Sequence, residues 1–346
     1  MSIKEIMNAQ QSVKETLDSF KKLDEHTYLM NFTADYGLDS LLEKGVNNVA
    51  QLLKFVQNYY HLQKKTLTMD KGGYACTTFN VFNKEGQHLL ARNFDYKDAE
   101  NVVVWSAPEN GYKSVAVTDV NIMLYGREHQ NPTKTENHSR FLAAPYCCMD
   151  GINEKGLAIA VLELKDKATN QQRGKKGIIP PAAIRAVLDK CENIDEVIEF
   201  FENHDMHDSL FCNYHYHVAD ASGRSVIIEY VKNEMNLIYP EDKNQYAMNF
   251  YLTKGVYNAK DFGFERRDKV LDAFKKNGGI MEEGEAMKLL ERCKLYYKHK
   301  RGYMITSLWS AVYNCNEKTM LYCGGMDYSV KYKFSPLKPG VAERVE

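Results

Sequence analysis

The chain has 346 residues, 44% hydrophobic and 26% charged, enough to bury a core without disulfides or metals. Its formal net charge of -1 leaves no footprint for nucleic acid or an anionic membrane. The N-terminus lacks the apolar core of a signal peptide and no stretch is apolar enough to span a membrane, so a cytoplasmic location is expected.

The first 70 residues read as helical, with Leu41, Leu42, Val46, Val49, Leu52, Leu53, Phe55 and Val56 at helical spacing until Lys71-Gly72-Gly73 breaks the pattern. Residues 76–82 then read as a strand, Asn83-Lys84-Glu85-Gly86 as a turn, and 88–93 as the returning strand. Further strands are expected at 101–106, 113–119 and 157–164. Two helices follow at 181–190 and 194–203, the second opening with Asp195 and Glu196, which suit a helix N-terminus. Strands return at 214–219, 225–230 and 235–239, helices at 262–277 and 283–297, and a closing hairpin at 303–313 and 318–323. Strands, helices and strands again predict an α+β fold with antiparallel sheets. No G-x-G-x-x-G and no Walker loop is present, so no dinucleotide or triphosphate cofactor is expected.

Eight cysteines and no C-x-x-C pair predict free thiols, several of them buried as small hydrophobes. The segment G-G-Y-A-C-T-T-F-N-V-F-N-K-E-G-Q-H-L-L-A-R-N-F-D-Y singles out Cys76. If Cys76 begins one strand and Arg92 and Asp95 end its hairpin partner, the three meet at one sheet end. A guanidinium there stabilises a thiolate. A cut before Cys76 would free an α-amine with a pKa of roughly 7.7–8.0, suited to act as general base near neutral pH. One residue then supplies nucleophile and base, and Asp95 would orient the amine.

This segment resembles the N-terminal-nucleophile (Ntn) amidases of the choloylglycine hydrolase, penicillin V acylase, acid ceramidase and penicillin acyltransferase superfamily. The spacing of that family's Cys, Arg and Asp is met by Cys76, Arg92 and Asp95 without a gap. M-D-G-I-N-E-K-G-L-A-I-A at 149–160, V-A-D-A-S-G-R-S-V-I-I-E-Y at 218–230, A-M-N-F at 247–250 and F-E-R-R-D-K-V at 264–270 are similar to later family blocks, in the same order. The resemblance implies an oxyanion role for Asn249 and a site role for Arg266, with Arg267 as competitor. It sets Glu163 where bile salt hydrolases carry an oxyanion Asn, which suggests that Glu163 meets a cation or amide donor of the substrate. Met248 stands where the family has Thr.

The resemblance also implies the four-layer αββα sandwich of two antiparallel sheets flanked by helices. It implies a helical leader over 1–75, removed from a catalytic domain over 76–346 by attack of Cys76 on the Ala75 carbonyl. The cleaved leader is free to stay bound, and homo-oligomerisation is left open. The implied activity is hydrolysis of linear amide C–N bonds in a small-molecule N-acyl amide, with no cofactor and no metal. Acyl transfer to an amine uses the same acyl-enzyme, and a non-catalytic relative that binds acylated ligands is the alternative of another class. Against each site stands a bland role: a structural cysteine for Cys76, a salt bridge for Arg92–Asp95, a turn cap for Asn249, and surface charges for Arg266 and Glu163. The H-x-H of His215 and His217 is a weak metal signal without a third ligand.

Overall fold

The structure is a computed structural model that describes residues 3–62, 75–123, 132–208, 212–257, 261–299 and 302–345. It opens with α1 (Ile3–Asp18), β1 (Lys21–Lys22), β2 (Thr27–Phe32), α2 (Leu38–Lys44) and α3 (Val49–Tyr59). The helical run expected around residues 41–56 is thus two helices. Gly45, at φ 74, ends the first, and Asn48 caps the second by accepting from the Gln51 N–H. β3 (Ala75–Phe82), β4 (His88–Lys97), β5 (Asn101–Ser106), β6 (Ser114–Asp119) and α4 (Val120–Met123) follow. A 3-10 run over Thr135–Cys147 leads into β7 (Asp150–Asn153), β8 (Ala158–Leu164) and β9 (Lys176–Ile178). Next come α5 (Pro180–Lys190), α6 (Ile194–Glu202) and β10 (His204–Met206). β11 (Asn213–Ala219), β12 (Ser225–Val231), β13 (Glu234–Ile238) and β14 (Gln245–Ala247) lead to α7 (Phe264–Asn277) and α8 (Glu283–Arg292). The chain closes with β15 (Tyr296–Lys298), β16 (Met304–Asn314), β17 (Thr319–Gly324), β18 (Lys331–Phe334) and β19 (Glu343–Val345).

Two large sheets carry the fold. One has the order β1-β2-β5-β6-β7-β8-β11-β12-β13 and is antiparallel except where β2 meets β5. The other runs β14-β3-β4-β16-β17-β18-β19, all antiparallel, with β15 added on β16. Three apolar layers separate four structural ones. The first lies between the nine-stranded sheet and α2, α3, α5, α6 and the 3-10 run, and includes Met30, Val56, Ile184 and Tyr216. The second fills the space between the sheets and includes Cys76, Phe94, Leu162 and Trp309. The third joins the other sheet to α7 and α8 through Phe79, Val81, Val270 and Leu290. This is the αββα sandwich. Because both faces of β4, β8 and β11 are covered, nearly every residue in them is buried.

The N-terminal region departs from the helical expectation, because β1 and β2 both belong to the nine-stranded sheet. β2 reads T-Y-L-M-N-F, a short apolar run bounded by turns, and its parallel pairing with β5 sets it inside the sheet. Helix α8 also ends earlier than expected, at Arg292, and residues 296–298 join the second sheet instead. A β-bulge in β16 positions the site. Ser307 pairs with Asp95 and Trp309 with Phe94, so Leu308 is the extra residue. In an unbulged strand Ser307 and Trp309, two residues apart, would share a face. With the bulge, Trp309 stacks on Phe94 in the inter-sheet core, and Ser307 reaches Asp95 on the helix side.

If β2 is integral to the sheet, Met30→Ala should destabilise the protein by about 2–5 kcal/mol in chemical denaturation, as expected for a fully buried methionine. Met7→Ala, on the exposed face of α1, should stay within roughly 0.5 kcal/mol.

Candidate active site

Cys76 is the second residue of β3, and its side chain lies in the inter-sheet core. It pairs with Phe94 across the strands, and Arg92 pairs with Thr78. Pleat alternation therefore sets Cys76, Thr78, Arg92 and Phe94 on one face. Asp95 pairs with Ala75 and points to the other face, toward α7. Cys76, Arg92 and Asp95 thus meet at one sheet end, with Asp95 on the opposite face from the other two. Arg92 and Asp95 are three residues apart in a strand, and an odd separation reverses the face.

Arg92 crosses to the nine-stranded sheet. Its Nε donates to Asp150 and its Nη1 to the Val161 carbonyl at 3.0 Å. The guanidinium carbon sits 4.8 Å above the Phe94 ring. Asp150 also accepts from the Trp309 indole and the Tyr313 hydroxyl, so its buried charge is well met. Arg92 Nη2 has no hydrogen-bond partner among the described residues.

Arg266 holds the backbone of Cys76. Its Nη1 donates to the Cys76 carbonyl at 2.7 Å, to Thr77 Oγ1 at 2.9 Å and to Asp95 Oδ2 at 3.3 Å. Its Nη2 donates to Asn249 Oδ1 at 3.0 Å. The helix start makes this possible. Gly263, the residue before α7, has φ 100, and a Cβ there would lie 2.6 Å from Arg266 Nη2. Arg267, the competing position, turns outward and pairs with Asp268.

Asn249 completes the clamp. The β14–β3 register pairs Ala247 with Thr78, so two residues on Asn249 comes opposite Cys76. Its Oδ1 accepts from the Cys76 N–H at 2.8 Å, and its Nδ2 donates to the Glu163 carbonyl at 2.9 Å. Two donors at one end and a carbonyl at the other fix which way the amide points. In the uncut chain the Cys76 N–H is thus held by Asn249. Ser307 donates to Asp95 Oδ1.

Glu163 contributes to this site through its backbone. Leu162 faces the inter-sheet core, and Tyr214, the cross-strand partner of Glu163, packs on the helix side. The Glu163 side chain therefore points away from Cys76 and is buried rather than solvated, which corrects its expected substrate contact. His215 and His217 have partners in separate networks: Glu229 and the Met248 carbonyl for the first, Thr78 for the second. Among the described residues no cluster of three His, Cys, Asp or Glu could hold a metal. The sequence did not single out Asp150, Thr77, Ser307 or Glu229, and read His215 only as a weak metal signal. Asp150 and Glu229 each lie inside a segment that resembles the family's blocks.

The electrostatics are opposed. Burial pushes the Cys76 thiol up to about 11; Arg92 is the strongest influence pulling it back, and Asp95 adds to the rise. Burial raises Asp95 to about 6, with Arg266 the main opposing charge.

Residues 76–254 match the model of the linear amide C–N hydrolases, choloylglycine hydrolase family. The chain belongs to that family. Its described relatives include penicillin V acylase of Pectobacterium atrosepticum, 24% identical over 187 residues that make up 50% of this chain and 48% of the acylase. The chain thus spans about half the length of that curated relative. Among solved structures, a variant of conjugated bile acid hydrolase from Clostridium perfringens superposes with a TM-score of 0.55 at 15% identity, covering 78% of this chain and 96% of that one. The likeness is one of fold. Among the described residues no helix is long and apolar enough to cross a membrane.

If the Arg92 charge supports the thiolate, Arg92→Met should slow carboxamidomethylation of Cys76 at pH 8 by roughly 10-fold or more, since each pKa unit is a tenfold change in thiolate. Mass spectrometry of the Cys76 peptide reads this. An unchanged rate would remove Arg92 from thiol activation.

Proposed function

We propose that the chain is an N-terminal-cysteine amidase that cuts its own Ala75–Cys76 bond and then hydrolyses linear N-acyl amides through a Cys76 thioester. One observation carries this: the backbone of Cys76 is gripped at its nitrogen by Asn249 and at its carbonyl by Arg266, both buried, directly after Ala75.

In the first reaction the Cys76 sulfur attacks the Ala75 carbonyl carbon. The C–N bond breaks, the nitrogen takes a proton and becomes the α-amine of Cys76, and Ala75 is left as a thioester on sulfur. Water cleaves the thioester, giving an Ala75 carboxylate and a free thiol. Asn249 Oδ1 already accepts from that nitrogen, so the new amine would stay oriented without reorganisation. In the second reaction the amine takes the thiol proton as sulfur attacks the substrate carbonyl. It returns the proton to the leaving nitrogen, and water releases the acyl group. Asn249 Nδ2 carries a second N–H beyond its bond to Glu163, which suits it to an oxyanion. Arg92, whose Nη2 has no partner among the described residues, and Arg266 supply the positive field. The steps call on no cofactor or metal.

The segment before Cys76 should stay in place after the cut. β2 is paired inside the sheet, and Tyr36 donates to Asp189 at 2.6 Å within the helical layer. The eight cysteines are all free thiols, which fits a reducing cytoplasm.

The substrate class is tested by release of free amine from a library of N-acyl amides, including fatty acyl, N-acyl amino acid, phenoxyacetyl and bile-salt types. Cys76→Ala should be inactive and of single-chain mass, whereas the wild type should co-purify as two chains joined by the sheet. Full activity in Cys76→Ala would remove Cys76 from the chemistry. Release that rises when a second amine is added, with the acyl group found on it, would mark acyl transfer instead.

Asp95 sets the acid limit. Above about pH 6 it is a carboxylate and holds Arg266; below that it protonates and the ion pair is lost. Turnover should therefore fall on the acid side with an apparent pKa near 6. Asp95→Asn should be slower at every pH and lack that limb; an unchanged limb in this variant would assign it elsewhere.

A further inference from the structure

Between β14 and α7 the chain leaves one sheet, presents Asn249 to Cys76 and turns back. What holds this crossing segment is a pair of residues on the other sheet. His215 on β11 and Glu229 on β12 are cross-strand partners, both fully buried. His215 Nε2 lies 2.7 Å from the Met248 carbonyl, and its Nδ1 lies 3.0 Å from Glu229 Oε1. Glu229 Oε1 also accepts from the Leu252 N–H at 2.9 Å. Its Oε2 accepts from the Thr253 N–H at 3.0 Å and the Thr253 hydroxyl at 2.8 Å. The pair thus grips the chain one residue before Asn249 and again three and four residues after it. The Asn249 carbonyl itself accepts from the Phe262 N–H at 3.3 Å.

The partners also define the hydrogens. Both ring nitrogens of His215 face oxygens that only accept: a peptide carbonyl and a carboxylate. A neutral imidazole has one N–H and would set a lone pair against one of them. Four donors surround Glu229. Burial works against its charge, but His215, Leu252 and Thr253 outweigh burial and hold the carboxyl below its usual range. Both ring nitrogens of His215 therefore sit against fixed acceptors, one on the crossing segment and one on Glu229.

We propose that His215 and Glu229 are positioning residues: through the Met248 carbonyl and the Leu252 and Thr253 N–H groups they fix the 248–253 segment so that the Asn249 amide meets the Cys76 nitrogen. The proposal rests on the amidase function above. It assigns these two side chains a task in the reaction although neither touches the reacting atoms. It also gives the histidine of the H-x-H a role other than metal binding.

The test uses self-cleavage, which needs no substrate. The full chain is made by cell-free translation, and the cut is followed by intact mass for the wild type, His215→Phe, Asn249→Ala and the double variant. If His215 acts through Asn249, His215→Phe should slow the cut by roughly 10-fold or more alone but by less than about 2-fold in the Asn249→Ala background. His215→Gln, which keeps an N–H for the Met248 carbonyl, should restore part of the rate. Equal losses in both backgrounds, or no loss in His215→Phe, would overturn the proposal. A wild-type chain that is never cut would sink the amidase reading and this proposal with it; a wild type that is cut beside an additive cycle would sink this proposal alone.

Discussion

The site depends on Arg266 being buried with its charge matched. A guanidinium taken out of water is costly unless an opposite charge and enough acceptors meet it. Here Asp95 supplies the charge, and the Cys76 carbonyl, Thr77 hydroxyl and Asn249 amide supply acceptors. Asp95 in turn is kept in place by Ser307, which faces it because of the bulge in β16. Gly263 leaves the space through which the guanidinium turns back on its own helix start. A helix arginine, the glycine before that helix, one bulge and one carboxylate therefore converge on the backbone of a single cysteine.

The two sheets contribute differently to that cysteine. The sheet containing β3 supplies its register, with Phe94 beside it and Asn249 opposite. The nine-stranded sheet supplies the anchors: Asp150 and the Val161 carbonyl for Arg92, and the Glu163 carbonyl for Asn249. The thiol lies between them, where burial disfavours a thiolate and Arg92 favours one. In the proposed reaction, an amine freed on the same residue would bring a base to that buried sulfur without opening the core.

Much of this was legible in the sequence. The spacing of Cys76, Arg92 and Asp95 identified the hairpin and its end, and the ordered blocks around Asn249 and Arg266 pointed to residues that do meet Cys76. What failed was direction. Spacing along a strand says which residues share an end, but only parity says which share a face, and Arg92 and Asp95 differ in parity. Glu163 failed for the same reason, one residue on from Leu162, which faces the core. β2 escaped notice because a six-residue run, mostly apolar and set among helical segments, carries no period that distinguishes a buried strand from helix. His215 and Glu229 lie far from Asn249 in sequence, and only the packing of one sheet on the other brings them to it.

Conservative replacement of the central guanidinium tests the account most directly. Arg266→Lys keeps the charge but loses the planar fork that reaches the Cys76 carbonyl, Asp95 and Asn249 together. The variant should fold, by far-ultraviolet circular dichroism, yet persist as an uncut chain in intact-mass spectra long after the wild type has split. A folded Arg266→Lys protein that splits before Cys76 as fast as the wild type would contradict the claim that this clamp prepares the bond for attack.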